Sequence, residues 1–494
     1  MRNEQAELRQ LLESRFPIVV VETAEERRFL HMIESVAGPA ETPLFTWSLI
    51  QGLQRVPRGD RALETREFAQ ALWHIRKTPQ NGYFVFLDPQ PFLDHPESIR
   101  LIREIAFDYT RTQQTMVFVG STLNLAPDLM RMSATFRMAP STPDDIRKLF
   151  KEEGELYASR NDGHAVQGDK AAYDLMVQHL VGLSREDARR MIRQAIEQDG
   201  RITMDDVARV LQQKHESLGK GGALQLATDV ESFERVGGQK RLKKWLELRR
   251  GAFLGADGAQ SLDVPKGVML LGVQGGGKSL AAKAIAGSWK VPLLRLDFGA
   301  MYDKFHGETE RNLRSALETA AAMSPCVLWL DEIEKGLATG DSSADSGVSK
   351  RVLATLLTWM SERKNRVFMI ATANNIASLP PELLRKGRFD EIFFVDLPAP
   401  EVRGEIFRIH LDKRGHACAA FDLVPLAAAS ESFSGAEIEQ AIVAASYTAF
   451  AEKRPLDTAH VLQELGSTRP LAVLRSEEVD ALRRWAEGRT VLAD

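Results

Sequence analysis

Gly272-Val273-Gln274-Gly275-Gly276-Gly277-Lys278-Ser279 fits the pattern G-x-x-x-x-G-K-[ST], in the setting that gives the pattern meaning. The apolar run Val268–Leu271 reads as a buried strand before it, and Leu280–Ser288 reads as a helix after it. Glycines let successive backbone N–H groups curl around phosphate oxygens, and the helix N-terminus adds positive potential. Lys278 is then suited to meet the β/γ oxygens and Ser279 to ligate Mg²⁺. A chance glycine turn would need neither the strand nor the helix.

Working downstream, Val327–Leu330 is a second buried strand, ending in Asp331-Glu332. Asp331 is expected to hold Mg²⁺ through water, and Glu332 to orient and deprotonate an attacking water. A third run, Val367–Ile370, leads to Asn374, whose amide can contact the γ-phosphate or that water. Arg385 and Arg388 follow. In the usual strand order they cannot easily fold back on their own phosphate, so they are candidates for fingers reaching a neighbouring subunit's nucleotide, with structural ion pairing as the alternative. Runs at Leu293–Leu296 and Ile392–Val395 complete the rhythm, and the chain from Pro400 onward reads as helical.

Upstream of Glu216 the same alternation is present, with runs at Ile18–Val21, Leu44–Trp47, Tyr83–Leu87 and Met116–Val119 and helix-length segments such as Glu97–Asp108. Alternating strands and helices imply a parallel, layered α/β sheet. Thr142-Pro143-Asp144-Asp145 and Ser184-Arg185-Glu186-Asp187 are helix starts. The expected division is an α/β domain over 1–140, a helical lid-like segment over 141–215, a Gly-rich linker over 216–232, an α/β core over 233–398 and a helical lid over 399–494. Two unrelated α/β domains remain the alternative to one plan used twice.

The 494 residues are 44% hydrophobic and 27% charged, close to the globular average, which excludes a disordered, collagen-like or disulfide-scaffold chain. Lysine and arginine number 64 against 68 acids, so no chain-wide field for nucleic acid or membrane exists. Two cysteines, Cys326 and Cys418, suit a reducing compartment. The charged start is not a secretory signal, and no run of about 18 uncharged apolar residues is present to span a membrane. A cytoplasmic location without membrane attachment is expected.

From about Phe233 onward these residues resemble an AAA module of the AAA+ superfamily, which implies a P-loop parallel sheet with a small helical lid, ATP and Mg²⁺ as ligands, and assembly into a homo-oligomer, six subunits being the family expectation. Phe233-Glu234-Arg235-Val236-Gly237-Gly238 is similar to the segment beneath the adenine, so Val236 and Gly237 are carried over as nucleotide contacts. Gly272 to Leu280 are carried over with them. Ser432-Phe433-Ser434-Gly435-Ala436-Glu437-Ile438 is similar to the start of the lid helix, which adds Gly435 and Ala436. Lys304-Phe305-His306-Gly307 is similar to the first pore loop, making Phe305 and His306 candidates for gripping a threaded polymer. The resemblance likewise makes Asn374 the first sensor.

Three departures stand out: Val273-Gln274-Gly275-Gly276 lacks the prolines usual in this family, Glu334 replaces aspartate, and Phe305 replaces tryptophan or tyrosine. The first half has no phosphate loop after its first strand and carries Pro89 after Asp88 where a catalytic acid would stand, so it resembles a degenerate AAA-like domain. The whole resembles the cyanobacterial and plastid AAA proteins named after hypothetical chloroplast reading frames.

Three readings of what the ATPase drives stay open: a ring-shaped unfoldase or remodeller of protein clients, a nucleic-acid motor, and a nucleotide-gated scaffold. The second rests on seven cations between Arg235 and Arg250 against the single acid Glu247. Leu242, Trp245 and Leu246 fall at helical spacing there, so those cations are equally the solvated face of a packed helix.

Overall fold

A computed structural model describes residues 2–494 except 24, 39–41, 57–64, 139–140, 219–222, 257, 260, 299–307, 338–344, 377 and 386. The chain forms two compact units, Met1–Gln167 with Leu180–Arg201, and Gly168–His179 with Ile202–Asp494.

In the first unit, β1 (Ile18–Glu22), β2 (Leu44–Ser48), β3 (Gly52–Val56), β4 (Gly82–Leu87), β5 (Gln114–Gly120) and β6 (Ser133–Phe136) form one sheet in the order β3-β2-β4-β5-β1-β6. Every pairing is parallel except β2 with β3. Neighbours along a strand bury into opposite faces. Ile18, Val20, Phe84, Phe86, Met116 and Phe118 pack with the helices Phe68–Lys77 and Pro96–Phe107. Val19, Val21, Val85, Val117 and Val119 pack with Arg2–Glu13 and Glu26–Ala37. Burial on both faces explains why these strands read as continuous apolar runs. The two helix starts behave as expected: Thr142 and Asp145 form a capping box for Pro143–Arg160, and Asp187 N–H donates to Ser184 Oγ at 3.0 Å to cap Arg185–Asp199.

In the second unit, β7 (Leu224–Ala227), β8 (Gly267–Gly272), β9 (Leu293–Leu296), β10 (Cys326–Leu330), β11 (Val367–Ala373), β12 (Glu391–Val395) and β13 (Val491–Leu492) form a sheet in the order β13-β12-β8-β11-β10-β9-β7. Only β7 runs antiparallel. Val268, Leu270, Trp329 and Phe368 pack on one face with helices Lys240–Leu254 and Lys278–Trp289. Met269, Leu271, Leu328 and Met369 pack on the other with Glu308–Ala322 and Asp345–Glu362. A separate apolar cluster around Phe407, Leu426, Ile438 and Val461 knits the helical lid.

The two sheets share one strand order. The strand that feeds the first crossover helix, β1 or β8, lies between β6 or β12 on one side and β5 or β11 on the other, and the second sheet adds β13 outside β12. Beyond β5 or β11 come β4 or β10, then β2 or β9, then an antiparallel edge strand. Among the described residues the first unit has no glycine loop after β1; Glu25 caps the next helix at once.

Several features differ from the sequence expectation. Leu224–Ala227, within the expected linker 216–232, is an edge strand, because Leu224 alternates into the core while Gln225 faces out. Residues 168–179 and 202–218 cluster with the second unit, although 141–215 was expected to act as one lid of the first. The Lys214 ammonium, buried in the helix Met204–Leu218, donates to the His179 carbonyl at 2.6 Å. The hairpin strand β3 and the edge strand β6 were not expected. Val491–Leu492 leaves the helical tail and joins the sheet beside β12, with Phe394 opposite Leu492.

In the basic helix, Leu242, Leu246 and Phe253 are fully buried, so its cations are the solvated face of a packed helix. Among the described residues no helix is long and apolar enough to cross a membrane.

Candidate nucleotide site

The phosphate loop rises from the C-terminal end of β8. Gly272 approaches Val395 so closely that a Cβ would stand 2.0 Å from its carbonyl oxygen. Gly275 is left-handed at φ +78°, and a Cβ there would meet Ser434 Oγ at 2.6 Å, so only glycine lets the lid helix start come down on the loop. Ala436 N–H in turn donates to the Gly275 carbonyl at 3.4 Å. The lid helix begins in a capping box in which the Ser434 hydroxyl accepts from Glu437 N–H and the Glu437 carboxylate accepts from Ser434 N–H.

Loop, core and lid enclose a cavity of about 670 Å³. Gln274, Gly275, Gly276, Gly277, Lys278, Ser279 and Leu280 form one wall. Val236 and Gly237 line a second side, and Gly435 and Ala436 a third. Asp331, Glu332 and Asn374 line it as well. Gly272 and Val273 do not line the cavity; they lie beneath the loop, where their carbonyls accept from Lys278 Nζ at 2.8 and 2.7 Å. Lys278 is 6% exposed. Burial pushes its ammonium down to about 8, against the opposing pull of Glu334, Glu332 and Asp331. A cation held there by neutral carbonyls is matched to an incoming polyanion.

The acid pair is fixed by the neighbouring strand. Thr372 Oγ donates to Asp331 Oδ1 at 2.9 Å and accepts from Glu332 N–H at 3.0 Å. Arg295 reaches the other Asp331 oxygen at 2.9 Å. Glu332 is left-handed, at φ +48°, a conformation non-glycine residues keep only where surroundings enforce it. Asn374 Nδ2 donates to Glu332 Oε1 at 3.1 Å, and Asn374 N–H to Glu334 Oε1 at 2.8 Å. Lys335 Nζ pairs with Glu332 Oε2 at 2.5 Å.

Arg385 is exposed, and Arg388 is half-buried with Nη1 lacking a hydrogen-bond partner among the described residues. Neither lines the cavity. Phe305 and His306 lie outside the described residues. Sequence reading passed over Gln239, Arg295, Thr372 and His410, which lie far apart along the chain and belong to no contiguous motif. The signal for Thr372 was its place at the end of β11; for the others there was none. His410 lines the cavity beside Glu439, and burial lowers its pKa.

A phosphate cradle, a buried lysine and two carboxylates at a strand end suit a nucleoside triphosphate with a divalent cation. Fold and site together define the class. The chain belongs to the AAA ATPase family: residues 268–397 match the model of the ATPase family associated with various cellular activities, 4–138 the N-terminal domain of SpoVK-like AAA ATPases, and 144–221 their second domain.

Over nearly its full length it is similar to the protein described as "Uncharacterized AAA domain-containing protein ycf46" of Guillardia theta, at 35% identity across 96% of this chain and 93% of that one. The protein of the same description from Trieres chinensis is 35% identical across 99% and 97%. A shorter stretch, 39% of this chain, is 38% identical to half of the proteasome-activating nucleotidase of Sulfurisphaera tokodaii.

Proposed function

We propose that this chain hydrolyses ATP to ADP and phosphate with Mg²⁺, and that it works as a homo-oligomeric ring, with six subunits, that remodels or unfolds protein clients. The observation that carries the hydrolysis is the convergence of Lys278, Asp331, Glu332 and Asn374 on one cavity from three strand ends. The likeness of part of the chain to a nucleotidase named for activating the proteasome supports a protein client over a nucleic acid. Burial of the apolar stripe in the basic helix supports it too, since the helix's cations then need no nucleic-acid partner.

In this reading residues 1–140 form a degenerate AAA-like domain, 141–215 a helical segment divided between the two units, 216–232 a connection that includes the edge strand β7, 233–398 the ATPase core and 399–494 the lid together with the strand β13. Lys278 exchanges its two carbonyl acceptors for phosphate oxygens. Ser279 and Asp331 would hold Mg²⁺, which supplies charge neutralisation at the transferring phosphoryl group. Glu332 Oε takes the proton of the attacking water, and Asn374 Nδ2 keeps that carboxylate aimed. Arg385 and Arg388 serve the nucleotide of an adjacent subunit.

The test is Glu332→Gln. ATP should still bind, because the cradle is intact, while turnover falls about 10²–10⁴-fold. Turnover at the normal rate would remove Glu332 from its role. Stimulation of the wild type by an unfolded protein supports the client assignment, and stimulation by nucleic acid alone overturns it.

A further inference from the structure

Where β8 leads into a glycine loop, β1 leads into Glu25. This glutamate opens the helix Glu26–Ala37, with its N–H donating to Thr23 Oγ at 2.9 Å and its carbonyl accepting from Phe29 N–H at 3.0 Å. Those two contacts fix the direction in which the side chain leaves the backbone. Glu25 is 8% exposed, and it lines a cavity of about 840 Å³ between its own helix start and the helix Arg185–Asp199.

The carboxylate joins elements far apart in the chain. Glu25 Oε1 accepts from the backbone N–H of Arg185, the first residue of the helix Arg185–Asp199, and Oε2 accepts from Arg28 Nη1 at 2.7 Å. Arg28 Nη2 in turn donates to both oxygens of Glu4, at 2.9 and 2.8 Å, on the helix Arg2–Glu13. A buried carboxylate is unfavourable unless its oxygens are met, and here both are.

The two lid-type helices begin alike. Ser184 caps with Asp187 as Ser434 does with Glu437, so Arg185 stands in its helix where Gly435 stands in the other. Gly435 lines the nucleotide cavity of the second unit, whereas the Arg185 N–H is taken by a carboxylate of the chain itself. The arginines around the first cavity are tied down as well: Arg185 reaches Glu152 at 3.3 Å, and Arg193 Nε donates at 2.9 Å to Glu153, which is buried.

A phosphate and a carboxylate offer a helix start the same thing, a negative acceptor for its amides and for a nearby guanidinium. We propose that Glu25 is a built-in anion that stands, in the first unit, in place of a nucleotide's phosphate. It fastens the start of the helix Arg185–Asp199 to the end of β1, so this helix stays closed with no ligand and does not respond to nucleotide. The inference rests on the degenerate AAA-like reading of residues 1–140 and says what replaced the lost ligand.

The experiment follows hydrogen exchange of the full chain in peptides covering 185–199, for the wild type, Glu25→Ala and Glu25→Gln. Each is measured in sodium chloride, in ATP with Mg²⁺ and in inorganic phosphate at matched ionic strength. Wild-type exchange in the first turn should be the same in all three. Glu25→Ala should exchange about tenfold faster, the loss of a hydrogen bond to a charged group, and phosphate should slow it again by entering the vacated place. Glu25→Gln keeps an acceptor without the charge, so it should fall between the two and ignore phosphate. Wild-type exchange in Glu25→Ala, or fast exchange that phosphate does not slow, would overturn the proposal. Should Glu25→Ala fail to fold, a Glu25→Gln chain that exchanges as the wild type does would overturn it alone, since the charge would then be idle. ATP that slows 185–199 in the wild type would instead sink the degenerate-domain reading, and this inference with it.

Discussion

Lys278 makes the site's affinity a function of pH in a range where the rest of the phosphate chemistry is quiet. Burial pushes its ammonium down to about 8 from an ordinary lysine value of 10.5. In the nucleotide-free protein it is therefore roughly nine-tenths charged at pH 7 and one-tenth charged at pH 9. Only the charged form attracts the β/γ oxygens, and the phosphate's own second ionisation, near 6, is complete across that interval. Binding should thus weaken about tenfold from pH 7 to pH 9, with proton uptake on binding that peaks above pH 8. Calorimetry in buffers of different ionisation enthalpy reads both quantities at once.

The same depressed value has the opposite sign for stability. Because the unfolded lysine binds the proton more tightly, the nucleotide-free fold bears a penalty at neutral pH that is relieved as pH rises from about 8 toward 10.5. A flat affinity between pH 7 and pH 9, or an equal slope in Lys278→Arg, whose cation does not titrate there, would refute the reasoning.

Arg388→Ala, and in parallel Arg385→Ala, should lower turnover while leaving nucleotide binding intact; mixing either with Lys278→Ala subunits should restore part of the activity, because each partner supplies what the other lacks. Mixed assemblies that stay inactive would count against a shared site. In the first unit, Glu25 is buried, pairs with Arg28 at 2.7 Å and accepts from Arg185 N–H at the start of the helix Arg185–Asp199. Glu25→Ala should lower stability by about 1–3 kcal/mol and speed hydrogen exchange in that helix's first turn; unchanged exchange would show that the Ser184 cap alone holds it.

The legible part of this protein is the part written in consecutive residues. Gly272 to Ser279, Asp331-Glu332 and the strand before Asn374 declare themselves because phosphate chemistry needs those types side by side, and parallel strands buried on both faces announce themselves as apolar runs. Leu224–Ala227 was hidden by brevity: four residues after a glycine-rich stretch carry too few alternations to be told from a linker. Val491–Leu492 is shorter still, and only the edge of β12 makes it a strand. Arg295 and Gln239 acquire their places from strand order and from backbone contacts across hundreds of residues, for which no local pattern exists.

The packing of Leu492, Ala493 and Asp494 has a practical consequence for anyone labelling the molecule. Leu492, Ala493 and Asp494 line the same cavity as the phosphate loop, and Ala493 is 3% exposed. A probe attached at any of these three residues would therefore sit against that cavity, next to Gly238, and disturb the segment that anchors the helix start at Arg241 and Leu242. Nucleotide affinities measured on molecules labelled there would report the label as much as the protein.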